Sequence, residues 1–121
     1  MPTTTPLCKD GELQENQCRE VELLIGPDSL PAFLVCRHGR IHCYINSCPH
    51  TGATLNWNPD RFLDISQTLI QCSLHGALFR IESGECIFGP CAGQHLRKIP
   101  AVLRDSVWFA VLENPDDSPG L

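Results

Sequence analysis

Cys48 and His50 stand two positions apart in CPHTGATL, residues 48 to 55, and Cys72 and His75 stand three apart in CSLHGALF, residues 72 to 79. Thiolate and imidazole are common soft and borderline metal ligands, so two of each at these spacings can converge on one centre. In common zinc modules the cysteines share one knuckle and the histidines follow together, whereas here each loop supplies one of each. That division suits a centre with two unlike ends. A [2Fe-2S] cluster with thiolates on one iron and imidazoles on the other is such a centre, with Cys48, His50, Cys72 and His75 as its ligands. A structural zinc ion held by the same four residues is the competing chemistry, and colour separates the two, because only the iron cluster absorbs visible light.

The segments around these loops read as strands. CREVELL (18 to 24) and PAFLVCR (31 to 37) are apolar or alternating runs split by the turn-forming GPDS, and RIHCYIN (40 to 46) follows the tight His38-Gly39 connection. These three predict an antiparallel meander. FLDI and TLIQC are short strand-like pieces separated by Ser66 and Gln67, LFRI leaves the second loop, and SVWFAVL (106 to 112) closes the domain with aromatic and β-branched residues. No twelve-residue segment sustains a helical apolar period, so the chain is read as all-β. Residues 1 to 6 and 113 to 121 offer little to pack and are expected as flexible tails around one domain, 7 to 112.

With 121 residues the chain closes a single core and has no length for a separate catalytic domain. No apolar run approaches the roughly 18 residues of a membrane span. A formal charge of -5 disfavours a nucleic-acid partner, which requires clustered Lys and Arg. The first twelve residues read as neither a secretory signal nor a transit peptide, so the cytoplasm is the expected location. In that compartment the eight cysteines are expected as free thiols or ligands. Cys8, Cys18, Cys36 and Cys43 are read as small buried or half-buried side chains, and His38, His42 and His95 as surface histidines and not ligands. Cys86 and Cys91 are close enough in sequence to pair, with free thiols favoured.

Cys48-Pro49-His50-Thr51-Gly52 and Cys72-Ser73-Leu74-His75-Gly76, followed by Phe79 and Gly84, resemble the two cluster loops of Rieske iron-sulfur proteins. Gly89-Pro90-Cys91 resembles the family's proline loop, which covers the cluster from a third side. The resemblance spans roughly residues 7 to 112 and implies an antiparallel β-sandwich or barrel with a small inserted cluster-binding subdomain, its loops within 47 to 92. It also gives the loop glycines a role: Gly52 and Gly76 let the backbone turn sharply and bring N–H groups toward the bridging sulfides, where a larger residue would push them away.

Two neutral imidazoles in place of two thiolates lower the negative charge of the centre and raise its potential, and hydrogen bonds to the sulfurs tune it further. High-potential relatives carry an extra cysteine in each loop and hydroxyl donors after the second His-Gly. Here those positions are Ala53, Leu74, Ala77 and Phe79. The expectation is therefore a potential near the low end of the family, roughly -150 mV. This resembles the small ferredoxins that serve aromatic-ring dioxygenases and implies a one-electron carrier, not an enzyme. Its partners would be a flavin-containing reductase and a terminal oxygenase. The small subunit of an NAD(P)H-dependent nitrite reductase is an alternative of similar fold. Leu55, Trp57, Leu74 and Pro90 are candidates for apolar cover beside the histidines, with core packing an equal reading for each.

Overall fold

The computed structural model describes residues 3–25, 27–49, 54–55, 60–73 and 76–112, and these contain strands and turns but no helix. Ten strands follow in order: β1 (Thr3–Lys9), β2 (Cys18–Ile25), β3 (Asp28–Arg37), β4 (Arg40–Ile45), β5 (Leu69–Gln71), β6 (Leu78–Arg80), β7 (Cys86–Phe88), β8 (Lys98–Ile99), β9 (Ala101–Arg104) and β10 (Val107–Leu112). They pair antiparallel in three sheets, ordered β1-β10-β9, β2-β3-β4-β8 and β5-β6-β7. The fold is all-β, as the sequence implies.

The β2-β3-β4-β8 sheet carries the architecture because it is buried on both faces. Side chains of a strand alternate between faces. Along β3, Ala32, Leu34 and Cys36 enter one core while Phe33 and Val35 enter the other. Along β4, Ile41, Cys43 and Ile45 join the first and Tyr44 the second. That double burial explains why AFLVC in β3 is an unbroken apolar run instead of an alternating one.

The first core is closed by Leu7 and Cys8 of β1, Leu23 of β2, Ile99 of β8, and Ala110 and Leu112 of β10. Residues 3 to 6, expected as part of a loose tail, instead form the first half of β1, with Thr3 opposite Leu112 and Thr5 opposite Ala110. Threonine is β-branched and suits a strand, and pairing with β10 satisfies backbone groups that no side-chain pattern advertises. The 113 to 121 segment lies outside the described residues.

The second core belongs to a subdomain inserted between β4 and β8, which contains the β5-β6-β7 sheet. Phe62 of the insert stacks on Phe33 with ring centroids 4.2 Å apart and planes 6° from parallel. The Tyr44 hydroxyl donates to the Ile81 carbonyl, and the Lys98 ammonium donates to the Glu82 carbonyl. Gly84, at φ +78°, lies so close to the Tyr44 ring that a Cβ there would stand 2.8 Å from Cε1. The insert is thus held to the sheet by ring packing and by side chains that reach its backbone.

Two hairpins turn on paired positive φ, of which the sequence marked the first, while Ser106, expected to open the last strand, belongs to the second turn. His38 and Gly39 both take positive φ, 54° and 73°, the combination a two-residue hairpin requires. Asp105 and Ser106 do the same at 50° and 66° between β9 and β10. The FLDI piece is not a strand: only Leu63 bridges, to Ile70, because Asp64 turns the chain there. Its Oδ1 accepts from the amides of Thr68 and Leu69. Among the described residues, no helix is long and apolar enough to cross a membrane.

Candidate metal centre

The first loop leaves β4 at Asn46, a buried polar residue. Its amide donates to the Pro31 carbonyl at 2.9 Å, and its Oδ1 accepts from the Leu55 amide at 2.8 Å. One residue, through its backbone N–H and its side-chain oxygen, thereby fixes both ends of the stretch that holds Cys48. A buried amide group demands such partners, since an unmet one would cost about 1–3 kcal/mol. Sequence reading passed over Asn46; a lone amide at the end of an apolar strand, just ahead of a Cys-x-His loop, was the available signal.

The second loop joins β5 to β6. The Cys72 amide donates to the Ala77 carbonyl, and the Gly76 amide returns to the Cys72 carbonyl, each at 2.9 Å. Ser73 donates its amide to the Leu55 carbonyl at 2.6 Å, which ties the second loop to the first. Cys48 and Cys72 are both buried, and both belong to the core on the insert side of the central sheet.

The remaining two candidate ligands, His50 and His75, lie outside the described residues, as do Gly52, Ala53, Trp57 and Leu74. Gly76 makes the sharp backbone turn expected of it. No described atom comes within 4 Å of the place its Cβ would occupy, and its amide is spent on the Cys72 carbonyl. The requirement there is the backbone conformation, φ +69°, which disfavours a side chain.

Close approach occurs instead at Gly89, in the third segment. At φ +110° it packs directly on the second loop, and a Cβ would lie 3.0 Å from both Cα and Cβ of Ala77. Phe88 and Pro90 beside it are exposed, whereas Leu55 is completely buried and serves the core. Ala77 and Phe79, which stand where hydroxyl donors would be, are also buried.

The other cysteines separate by environment. Burial pushes the thiols of Cys18 and Cys43 up to about 12, which keeps them protonated and apolar in character. Cys91 is pushed up to about 12 as well, first by burial, then by the hydrogen-bonded Cys86 thiol, with Cys48 contributing through its nearby charge. His38 and His95 are exposed. His42, expected at the surface, is half-buried, and it is held below the usual histidine range by that burial and by the Lys98 ammonium, 3.3 Å from its Nδ1.

Two buried thiols on cross-tied loops fit a thiolate-anchored metal group. Deprotonating a buried thiol is costly unless a cation compensates it, and a metal does so.

Comparison with known proteins finds that residues 3–104 match the Rieske [2Fe-2S] domain family. The chain is 26% identical over 108 residues to cholesterol 7-desaturase of Caenorhabditis elegans, a match covering 89% of this chain and 23% of that protein. It is 34% identical over 79 residues to apoptosis-inducing factor 3 of Homo sapiens, covering 65% of this chain and 12% of that one. The chain therefore spans less than a quarter of the length of either relative. Among solved structures, the complex of reduced oxygenase and oxidised ferredoxin in carbazole 1,9a-dioxygenase aligns with a TM-score of 0.69 at 19% identity, covering 92% of this chain and 94% of that one. The terminal oxygenase of carbazole 1,9a-dioxygenase from Novosphingobium sp. KA1 aligns with a TM-score of 0.72 at 23% identity, covering 98% and 34%. At these identities the structural likeness establishes the fold.

Proposed function

Because the chain belongs to the Rieske [2Fe-2S] domain family, whose cluster it is built to bind, we propose that it is a low-potential one-electron carrier between a flavin-containing reductase and a terminal oxygenase. The observation that carries this reading is the placement of Cys48 and Cys72, buried together on loops cross-tied through Leu55 and Asn46. When bound, the cluster supplies a centre that accepts and returns a single electron. The chain's own residues then have three tasks. Cys48 and Cys72 would hold the cluster at one iron, His50 and His75 at the other, and buried Ala77, Phe79 and Leu55 would keep polar groups and water away from its sulfurs.

The low potential follows from what those residues lack. Ala77 and Phe79 have no hydroxyl to donate toward a cluster sulfur, so less of the negative charge gained on reduction is offset. Exposed Phe88 and Pro90, beside the second loop, support brief docking of an electron-transfer partner. The solved assembly of an oxygenase with a ferredoxin, one chain of which matches this chain over nearly its whole length, supports an oxygenase as acceptor. The eight cysteines, read as thiols and cluster ligands and not as a disulfide scaffold, support a reducing compartment such as the cytoplasm.

Anaerobic preparation with iron and sulfide tests the reading directly. The expected product is red-brown, EPR-active after dithionite, and titrates near roughly -150 mV. A colourless protein that stays EPR-silent would sink the electron-carrier reading, and a clearly positive midpoint would sink its low-potential form.

A further inference from the structure

Cys86 and Cys91 are not among the four cluster ligands, yet their sulfurs meet. The Cys91 thiol donates to the Cys86 sulfur at 3.1 Å, and the Cys86 thiol donates onward to the Phe88 carbonyl at 3.3 Å. The backbone between them is already closed into a ring. Cys86 donates its amide to the Gln94 carbonyl and accepts at its own carbonyl from Gly93, while Ala92 donates to Gly89 and Gln94 to Cys91. The ring carries Gly89, whose backbone packs on Ala77 of the second loop.

We propose that Cys86 and Cys91 form a redox-active dithiol that closes to a disulfide across the Gly89-Pro90 ring, giving the protein a two-electron thiol site beside its one-electron centre. A disulfide has its sulfurs about 2.05 Å apart, so the pair must draw together by roughly 1 Å. The backbone bonds at the base of the ring hold both residues in place for that movement. Burial argues for a pair that responds to sustained oxidising conditions and not to brief ones, because either thiol meets an oxidant only when the ring opens.

The oxidant is a low-molecular-weight disulfide. One cysteine thiolate attacks it, breaking its S–S bond and expelling one small thiolate; the second cysteine then attacks the mixed disulfide, forms the intramolecular S–S bond and expels the other. Two protein thiols are oxidised, one small disulfide is reduced to two thiols, and the two protein protons end on the leaving thiolates. No electron from the iron centre is required, so the inference stands apart from the carrier function.

The test uses the cluster-loaded full chain in buffers of graded oxidised-to-reduced glutathione ratio, with visible absorbance recorded throughout. After acid quenching, alkylation and trypsin digestion, Cys86 and Cys91 fall on one peptide, residues 81 to 97, that contains no other cysteine. The expected result is a peptide with two alkyl groups at the reducing end and none, two hydrogens lighter, at the oxidising end. The change should reverse with reduced glutathione and occur with cluster absorbance retained. Full alkylation of both residues at the most oxidising ratio overturns the proposal. So does a bridge that forms only in step with loss of colour, or a cross-link from Cys91 to Cys48.

Discussion

On one face of the β2-β3-β4-β8 sheet, Cys36 and Cys43 pack among Leu34, Ile41 and Ala110; on the other, Cys48 and Cys72 pack among Phe33, Phe62 and Phe79. All four are buried cysteines in apolar company. What differs is the backbone that carries them. Cys36 and Cys43 sit inside strands of ten and six residues, where the ladder fixes them as filler. Cys48 and Cys72 sit where strands have just ended, on loops held by an amide side chain and single cross-bonds. Burial alone therefore does not mark a ligand. What distinguishes Cys48 and Cys72 is that two cross-tied loops bring them from distant parts of the chain into one core.

Substituting a cysteine in each core gives the largest contrast. Cys72→Ser should reduce bound iron to background and abolish visible absorbance, since serine oxygen is a poor ligand for this centre. Cys43→Ser should retain iron and colour and lose stability instead, by about 1–3 kcal/mol for a buried hydroxyl without a partner. Iron analysis and chemical denaturation of both variants distinguish the two. Equal loss of iron in the pair would erase the distinction between the cores.

Truncating one large apolar side chain per core sharpens the comparison. Phe62→Ala removes a ring stacked on Phe33 and should cost about 3–5 kcal/mol, while Leu23→Ala in the opposite core should cost about 2–5 kcal/mol. The discriminating measurement is the rate of cluster bleaching under mild denaturant. It should rise in Phe62→Ala far more than in Leu23→Ala when the two are compared at equal loss of stability. Similar bleaching rates would mean that the whole domain, and not the insert, gates the loss.

Two glycines of the insert offer a finer comparison. Gly84→Ala brings a Cβ to 2.8 Å from the Tyr44 ring and 3.3 Å from the Leu96 carbonyl, at φ +78°. Crowding and backbone strain together should cost about 2–4 kcal/mol. Gly76→Ala meets open space among the described atoms at φ +69° and should cost about 1–2 kcal/mol, from conformation alone. Thermal or denaturant unfolding ranks the two, and a larger penalty at Gly76 would point to crowding there after all.

Much of this was legible before the structure, and the omissions have physical causes. The β2, β3, β4 meander and the His38-Gly39 turn could be read because strand-like runs and turn residues are local signals. β8 and β9 were missed: two- and four-residue strands around Pro100 are defined by their partners, with Cys43 opposite Ile99 and Leu103 opposite Trp108. The threonines of β1 looked unstructured because their pairing to β10 spans the chain. At the centre, spacing marks Cys48 and Cys72 as candidate ligands, whereas no spacing marks Asn46, because a hydrogen-bonding role depends on which backbone groups the fold brings near. Gly76 was legible as a sharp turn, and its φ of +69° agrees, whereas the bond from its amide to the Cys72 carbonyl depends on the loop's path.

The smallest expected effect belongs to the end of the molecule away from the insert's cysteine loops. Glu15 accepts from the His38 amide at 2.8 Å and 3.0 Å, and that bond, with help from the Gly39 amide and the charges of His38 and Arg37, holds its carboxyl below the ordinary value of 4.5. A carboxyl whose folded value is depressed adds stability above its unfolded value, and that stability is lost as pH falls through the folded value. Glu15→Gln should therefore be slightly less stable than the parent at neutral pH, with the difference shrinking as pH drops below about 4.5. Because the carboxylate is solvent-exposed, the effect should be modest, and cluster absorbance at neutral pH should be unchanged. Denaturation midpoints of both proteins across pH 3 to 7 at roughly constant ionic strength provide the check. A difference that persists undiminished at the acid end would mean that the bond to the β3–β4 turn works without its charge.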